Sequence, residues 1–179
     1  MTNTIAAALF RRILVPFDFS DHATRALEIA KRLASPGATI TVVHAVAPVY
    51  TSMAGPAADV AWTPTSDMIG DLRRDLAGVV GRVAGRDADT RFVSRVVMAD
   101  PLNAILAAAR SADVIVMTTV GRTGLGHLLM GSVAEKVVRH AKIPVLTIHP
   151  DTARRLVRGG RKQGSARPRP SRRKNVSAR

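Results

Sequence analysis

Two kinds of segment take turns between residues 11 and 149, and this alternation constrains the fold more than any other feature of the chain. Short runs of aliphatic and β-branched residues occupy 13–15, 39–46, 92–98, 114–117 and 145–148. Interleaved with them are apolar stripes at helical spacing: Ala23, Ala26, Leu27, Ala30 and Leu33; Ile69, Leu72, Leu76, Val79, Val80 and Val83; Leu102, Ile105, Leu106 and Ala109; Val133, Val137, Val138 and Ala141. A run of four to eight such residues suits a strand, and a stripe recurring every three or four suits one face of a helix. Ser20 and Asp21 are N-cap candidates for the first helix, Pro36-Gly37 would stop it, and Pro101 suits the first turn of the third. The run 114–117 is apolar throughout, as expected of a strand covered on both faces. The economical architecture is α/β: an open five-stranded parallel sheet with helices on both faces and right-handed crossovers. Residues 47–64 break the rhythm. They carry the sole Tyr and Trp among several prolines, and are expected to form a long, mobile connection.

Composition narrows the class. With 179 residues, 46% of them apolar, the chain can build one domain of ordinary size. Aromatics make up only 3%, so aliphatic side chains and alanine must fill the interior. The absence of cysteine removes disulfides, thiol catalysis and thiolate metal sites. No apolar run approaches the ~18 residues of a membrane span, and residues 1–10 lack the basic segment and cleavage site of a signal peptide. A cytoplasmic location is the expectation. The net charge of +14 is unevenly spread. Residues 151–179 hold 11 of the 27 Lys and Arg and one of the 13 acids, a net of +10, which leaves +4 for residues 1–150. The terminal stretch is mostly Arg, Gly, Pro and Ser, too polar to offset its chain entropy by burial, and reads as a disordered tail. The expected organisation is a short extension (1–10), a folded domain (11–150) and a basic tail (151–179).

In an open parallel sheet, ligands bind beyond the carboxyl ends of the strands, where strand order reverses. The stretch after the fourth run holds Gly121, Gly124, Gly126 and Gly131, and a helix follows at Ser132. Glycines let backbone amides turn toward a phosphate, a helix N-terminus favours an anion, and Arg122 adds a charged fork. Ser132 can cap the helix, donate to a phosphate oxygen, or both. The same residues also suit a shaped loop with no ligand. There is no Gly-Lys-Ser/Thr, and the first strand ends in Pro16-Phe17-Asp18 without glycine, so neither a Walker A loop nor the dinucleotide fingerprint is present. The five histidines show no ligand spacing such as His-x3-His, and His22 is expected on an exposed first turn.

Three blocks carry a resemblance: residues 13–20 (Ile-Leu-Val-Pro-Phe-Asp-Phe-Ser), 112–117 (Ala-Asp-Val-Ile-Val-Met), and 121–148, with Gly-Ser-Val-Ala-Glu-Lys-Val-Val-Arg-His-Ala and Ile-Pro-Val-Leu. Over about residues 10–150 the chain resembles the universal stress protein family, which implies a Rossmann-like fold of the adenine nucleotide alpha hydrolase type. The ATP-binding branch of that family carries Gly-x2-Gly-x9-Gly-Ser/Thr. On this chain the second and third glycines are Gly121 and Gly131, Ser132 follows, and Thr118 stands where the first glycine belongs. The resemblance implies ATP, with Mg²⁺ accompanying its phosphates, held by Pro16, Phe17, Asp18, Ala45, Met117, Thr118, Gly121, Arg122, Gly131, Ser132 and Val133. Ala45 would meet adenine through its backbone, and Asp18 would accept from ribose hydroxyls or the adenine amine. The competing role for Asp18 is a cap on the helix that begins near residue 21.

The expected function is that of a nucleotide-dependent stress-response module. Little or no turnover is expected, since only Arg122, Ser132 and Asp18 are placed to assist hydrolysis. The resemblance also implies a homodimer through the last strand, residues 143–149 with Ile143 and His149 at its ends; an unpaired edge strand is a ready template. The alternative is an interaction module that does not bind ATP, with the tail contacting nucleic acid or anionic surfaces. No aromatic residue is interleaved in the tail, so such binding would be nonspecific.

Overall fold

Local signals and tertiary burial agree along most of the chain, and together they set the order of elements. The computed structural model describes residues 10–51, 60–119, 130–149, 152, 153, 155 and 156. In chain order the elements are β1 (Phe10–Pro16), α1 (Asp21–Leu33), β2 (Ala34–Val46), β3 (Val49–Thr51), β4 (Val60–Trp62), α2 (Ser66–Ala84), β5 (Arg91–Met98), α3 (Pro101–Ala109), β6 (Val114–Thr118), α4 (Ser132–His140) and β7 (Val145–Ile148). Five strands form a sheet in the order β5-β2-β1-β6-β7, and every pair is parallel. The chain winds outward from β1 through β2 to β5, then returns to β6 and continues to β7 on the other side. Strand order therefore reverses between β1 and β6.

Alternation along the strands splits the core into two layers. Ile13, Val15, Ile40, Val42, Val114 and Val116 point to one face and pack with Ala26, Leu27 and Ala30 of α1 and Leu76 and Val80 of α2. Leu14, Val43, Ile115 and Met117 point to the other and pack with Ile105 and Ala109 of α3 and Ala134 and Val137 of α4. β6 is buried at all five positions, as its unbroken apolar run implies. Ala153 is also fully buried in the first layer, and its N–H donates to His149 O at 2.9 Å.

Ala153 falls in the stretch expected to be a disordered tail, and two further features differ from the sequence expectation. Pro36-Gly37 does not separate α1 from the second strand. β2 already begins at Ala34, and its register to β1 slips between the pairs Phe10–Ala34 and Arg12–Thr39, so the Pro-Gly pair sits inside an irregular first part of the strand. Gly37 takes φ +75°, a left-handed conformation that glycine adopts without a side-chain penalty, and its N–H donates to Asp89 O at 2.8 Å. The connection 47–64, for its part, holds a two-stranded antiparallel ribbon, β3 with β4, pairing Val49 with Trp62 and Thr51 with Val60. Strands of three residues are too short to leave a periodicity.

Candidate functional site

At the reversal point, the carboxyl ends of β1, β2 and β6 and the first turn of α4 enclose a cavity of about 360 Å³. From β1 it is lined by Pro16, Phe17 and Asp18; from β2 by Val43, His44 and Ala45; from β6 by Met117 and Thr118; from α4 and its cap by Gly131, Ser132, Val133 and Ala134. Ala23, Pro101 and Ile105 close the sides. Every predicted site residue lines this one cavity except Gly121 and Arg122. Those two lie outside the described residues, as do Gly124, Gly126 and His127.

The wall from β1 is built around a tight exit. Beyond the last register pair, Phe17 N–H donates to Val43 O at 2.8 Å, and His44 Nδ1 donates to Phe17 O at 2.8 Å. A carbonyl only accepts, so Nδ1 carries the proton. Phe19 then turns the chain with φ +63°, a conformation that costs a bulky L-residue roughly 1–2 kcal/mol. Its ring meets Phe17 and His44 edge-on, with centroids at 5.4 and 4.8 Å, contacts that offset part of that cost. Asp18, half-buried between the two phenylalanines in sequence, is drawn into the helix cap. Its Oδ1 accepts from Ser20 N–H at 3.0 Å and Ser20 Oγ at 2.6 Å, and Ser20 Oγ accepts from Ala23 N–H at 3.1 Å. Ser20 is the N-cap of α1, and Asp18 orients it. The two roles open for Asp18 in the sequence thus meet in one residue: it lines the cavity and it braces the helix.

The opposite wall departs from expectation in one respect. Ser132 does not cap α4. Gly131 is the N-cap, at φ −57° and ψ 143°, and no side-chain cap bonds the first turn among the described residues. Three other helices differ: α1, α2 and α3 each have a side-chain cap, from Ser20, Thr65 and Asp100. Gly131 is held in place by its own N–H, which donates to Thr119 O at 2.7 Å, while its carbonyl accepts from Glu135 N–H at 2.9 Å. Its φ is open to any residue, so glycine here leaves the front of the helix bare rather than enabling a special turn. The first-turn amides of α4 and the hydroxyl of Ser132 at N1 therefore meet the cavity without a competing cap, an arrangement suited to an anion. Thr118, at the end of β6, completes the lining. It is 8% exposed, the single buried polar side chain among the described residues.

A match to the model of the universal stress protein family spans residues 9–149. This chain belongs to the universal stress protein family. A universal stress protein of Thermus aquaticus is 36% identical over 143 residues, covering 78% of this chain and 99% of that one. One from Methanocaldococcus jannaschii is 32% identical over 146 residues, covering 78% and 82%. Among solved structures, a universal stress protein from Archaeoglobus fulgidus superposes with a TM-score of 0.56 at 26% identity, covering 78% of this chain and 99% of that one. Another, solved in complex with cAMP, gives 0.54 at 26% identity, covering 79% and 98%.

Within this universal stress protein, Val43 also lines the cavity, although nothing in its β-branched run marks it, and His44, in the stretch after the second strand where a ligand is expected, lines it too. His44 lies in the β-branched run of β2, and only the partner strand reveals that its ring reaches β1. His22, expected to be exposed, is half-buried, with Nδ1 shielded from water. No group of three or more His, Asp or Glu residues that could hold a metal is present among the described residues. No helix among them is long and apolar enough to cross a membrane.

Proposed function

We propose that this chain binds an adenine nucleotide, ATP with its Mg²⁺, in the cavity between β1, β2, β6 and α4, and acts as a nucleotide-dependent stress-response module with little or no turnover. The observation that carries the reading is the uncapped first turn of α4, with Ser132 at N1, facing the cavity. The base end fits the opposite side: Val43, Ala45, Met117 and Ile105 form an apolar slot, and β2 ends in backbone groups that can read an adenine edge. Asp18 is at hand for ribose. The cAMP complex of a relative with the same fold supports the ligand class. ATP supplies the charge that the α4 amides would meet, and the residues of this chain hold and orient it.

The test is to denature the purified chain and identify the released small molecule by mass spectrometry, then titrate stripped protein with ATP by calorimetry. An adenine nucleotide released, or binding at millimolar ligand or below, supports the reading. Absence of both, no nucleotide released and no binding at millimolar ATP, would overturn it. Rapid ADP formation in a single-turnover assay would overturn the absence of turnover. The second reading, an interaction module without ATP, draws support from Thr118, a buried threonine in the cavity lining where the ATP-binding motif has glycine. In that case the basic residues 151–179 would be the working part, contacting nucleic acid with steep salt dependence.

A further inference from the structure

A second concavity lies toward the other end of the sheet, on the face that carries α3. α3 packs on β2 and β1, and the β5 end of this face is left open. The register places Arg12, Thr39 and Arg91 side by side across three strands; Leu14, Thr41 and Val93 form the next row on that face. Arg95 follows Val93 on β5. The resulting groove, about 270 Å³, is lined by Arg12, Arg91 and Arg95, by the hydroxyl-bearing Thr39, Thr41 and Ser111, and by small apolar side chains. No carboxylate lines it among the described residues. Arg12 is held by Asp113, but neither Arg91 nor Arg95 has an ion-pair partner among the described residues, and both are exposed. Arg110 stands exposed beside Ser111 at the end of α3.

We infer that this groove docks the phosphate backbone of a nucleic-acid duplex, without reading its sequence. Charge alone asks for an anion, and three details narrow the kind. Arg91 and Arg95 are four residues apart on one strand, about 13 Å along it, too far to share one small ion and within reach of separate phosphates of an extended polyanion. Guanidinium forks flanked by neutral hydroxyls are the usual partners of phosphate oxygens. There is no aromatic ring in the lining to stack on an unpaired base, so a duplex backbone fits better than a single strand. One inward-facing arginine would suffice to guard the β5 edge against strand pairing; two on the same face, beside three hydroxyls, form a surface. The groove and the nucleotide cavity lie toward opposite ends of the sheet, and neither reading draws on the other. The groove also differs from residues 151–179 as a source of binding, because its cations belong to the folded sheet.

The experiment uses the full chain and a fluorescein-labelled DNA duplex, with binding followed by anisotropy at several salt concentrations. The double variant Arg91→Gln, Arg95→Gln removes the two unpaired cations; Arg73→Gln, Arg74→Gln removes the same charge from the exposed face of α2. We expect the first pair to reduce the slope of log K against log salt by about 2, and the second to leave it near the wild-type value. Equal loss in both variants reduces the effect to net charge and overturns the inference, as does no loss in either. Tighter wild-type binding to phosphatidylglycerol vesicles or polyglutamate than to duplex, abolished by the Arg91/Arg95 changes, assigns the groove to another partner and also overturns it. Amide hydrogen exchange on the wild-type chain needs no variant. Duplex must slow exchange at Arg91–Met98, and unchanged exchange there sinks the proposal.

Discussion

Thr118 is the residue on which the nucleotide reading turns. Its side chain is 8% exposed at the carboxyl end of β6, and the cavity closes over it. Asp18 is a poorer probe: replacing it would loosen the Ser20 cap of α1 at the same time as any ribose contact. Thr118→Gly separates the effects, because it restores the motif glycine at the cavity lining without touching either helix cap. ATP affinity measured by calorimetry should rise about tenfold, or about 1.4 kcal/mol. Thermal stability should fall by roughly 1–2 kcal/mol, from lost burial and added chain entropy. An unchanged or weaker affinity would show that Thr118 is not the obstruction. The substitution was visible in the motif spacing; its burial was not, since a threonine at a strand end is as often exposed.

At the scale of elements, the junction of β1 with β6 shows how a charged pair can hold a sheet together. Arg12 N–H donates to Asp113 Oδ2 at 2.9 Å, its Nε and Nη2 donate to Oδ1 at 3.0 and 2.6 Å, and Asp113 N–H returns a bond to Arg12 O at 2.7 Å. The side-chain bonds from Arg12 hold the Asp113 carboxyl below its ordinary value of 3.8, against the upward push of burial. A carboxyl with a lowered folded pKa adds stability above its unfolded value, and that stability fades as pH falls through the folded one. Asp113→Asn should therefore cost about 1 kcal/mol at pH 7, a modest figure because the guanidinium is well exposed. The difference from wild type should shrink toward zero as pH falls below the lowered folded value, read as urea midpoints at pH 7 and in acid. A gap of equal size at both pH values would remove the ionic explanation. Elements were legible in the sequence wherever a pattern ran for a full helical turn or a buried strand, as in Val114–Thr118 and the α2 stripe. They were not legible where register decides. β2 includes Pro36-Gly37 only because Phe10 has a partner at Ala34, and α4 starts bare only because Gly131 is tied to Thr119.

Over the whole molecule, the sheet order leaves two edges, and they differ in character. β5 carries Arg91 and Arg95 on one face, which suits a polar partner. β7 is four residues long and pairs only with β6; beside it are the exposed apolar side chains of Leu146 and, on α4, Val138. A two-fold axis at β7 would pair this strand with its copy and bring the two Leu146 side chains close to each other, an isologous contact that closes on itself. Four residues of ladder supply few hydrogen bonds, each worth only about 1 kcal/mol net, so burial of Leu146 and its neighbours has to contribute most of the affinity. The full chain should accordingly sediment as a dimer at micromolar concentration, and Leu146→Glu should shift it to monomer without lowering its melting temperature by more than the loss of the interface. The ladder alone cannot compensate, since a carboxylate at each copy of position 146 places two like charges in the contact. A Leu146→Glu chain that still sediments as a dimer would move the interface away from this edge, toward another exposed apolar side chain such as Met68 on α2 or Met98 on β5.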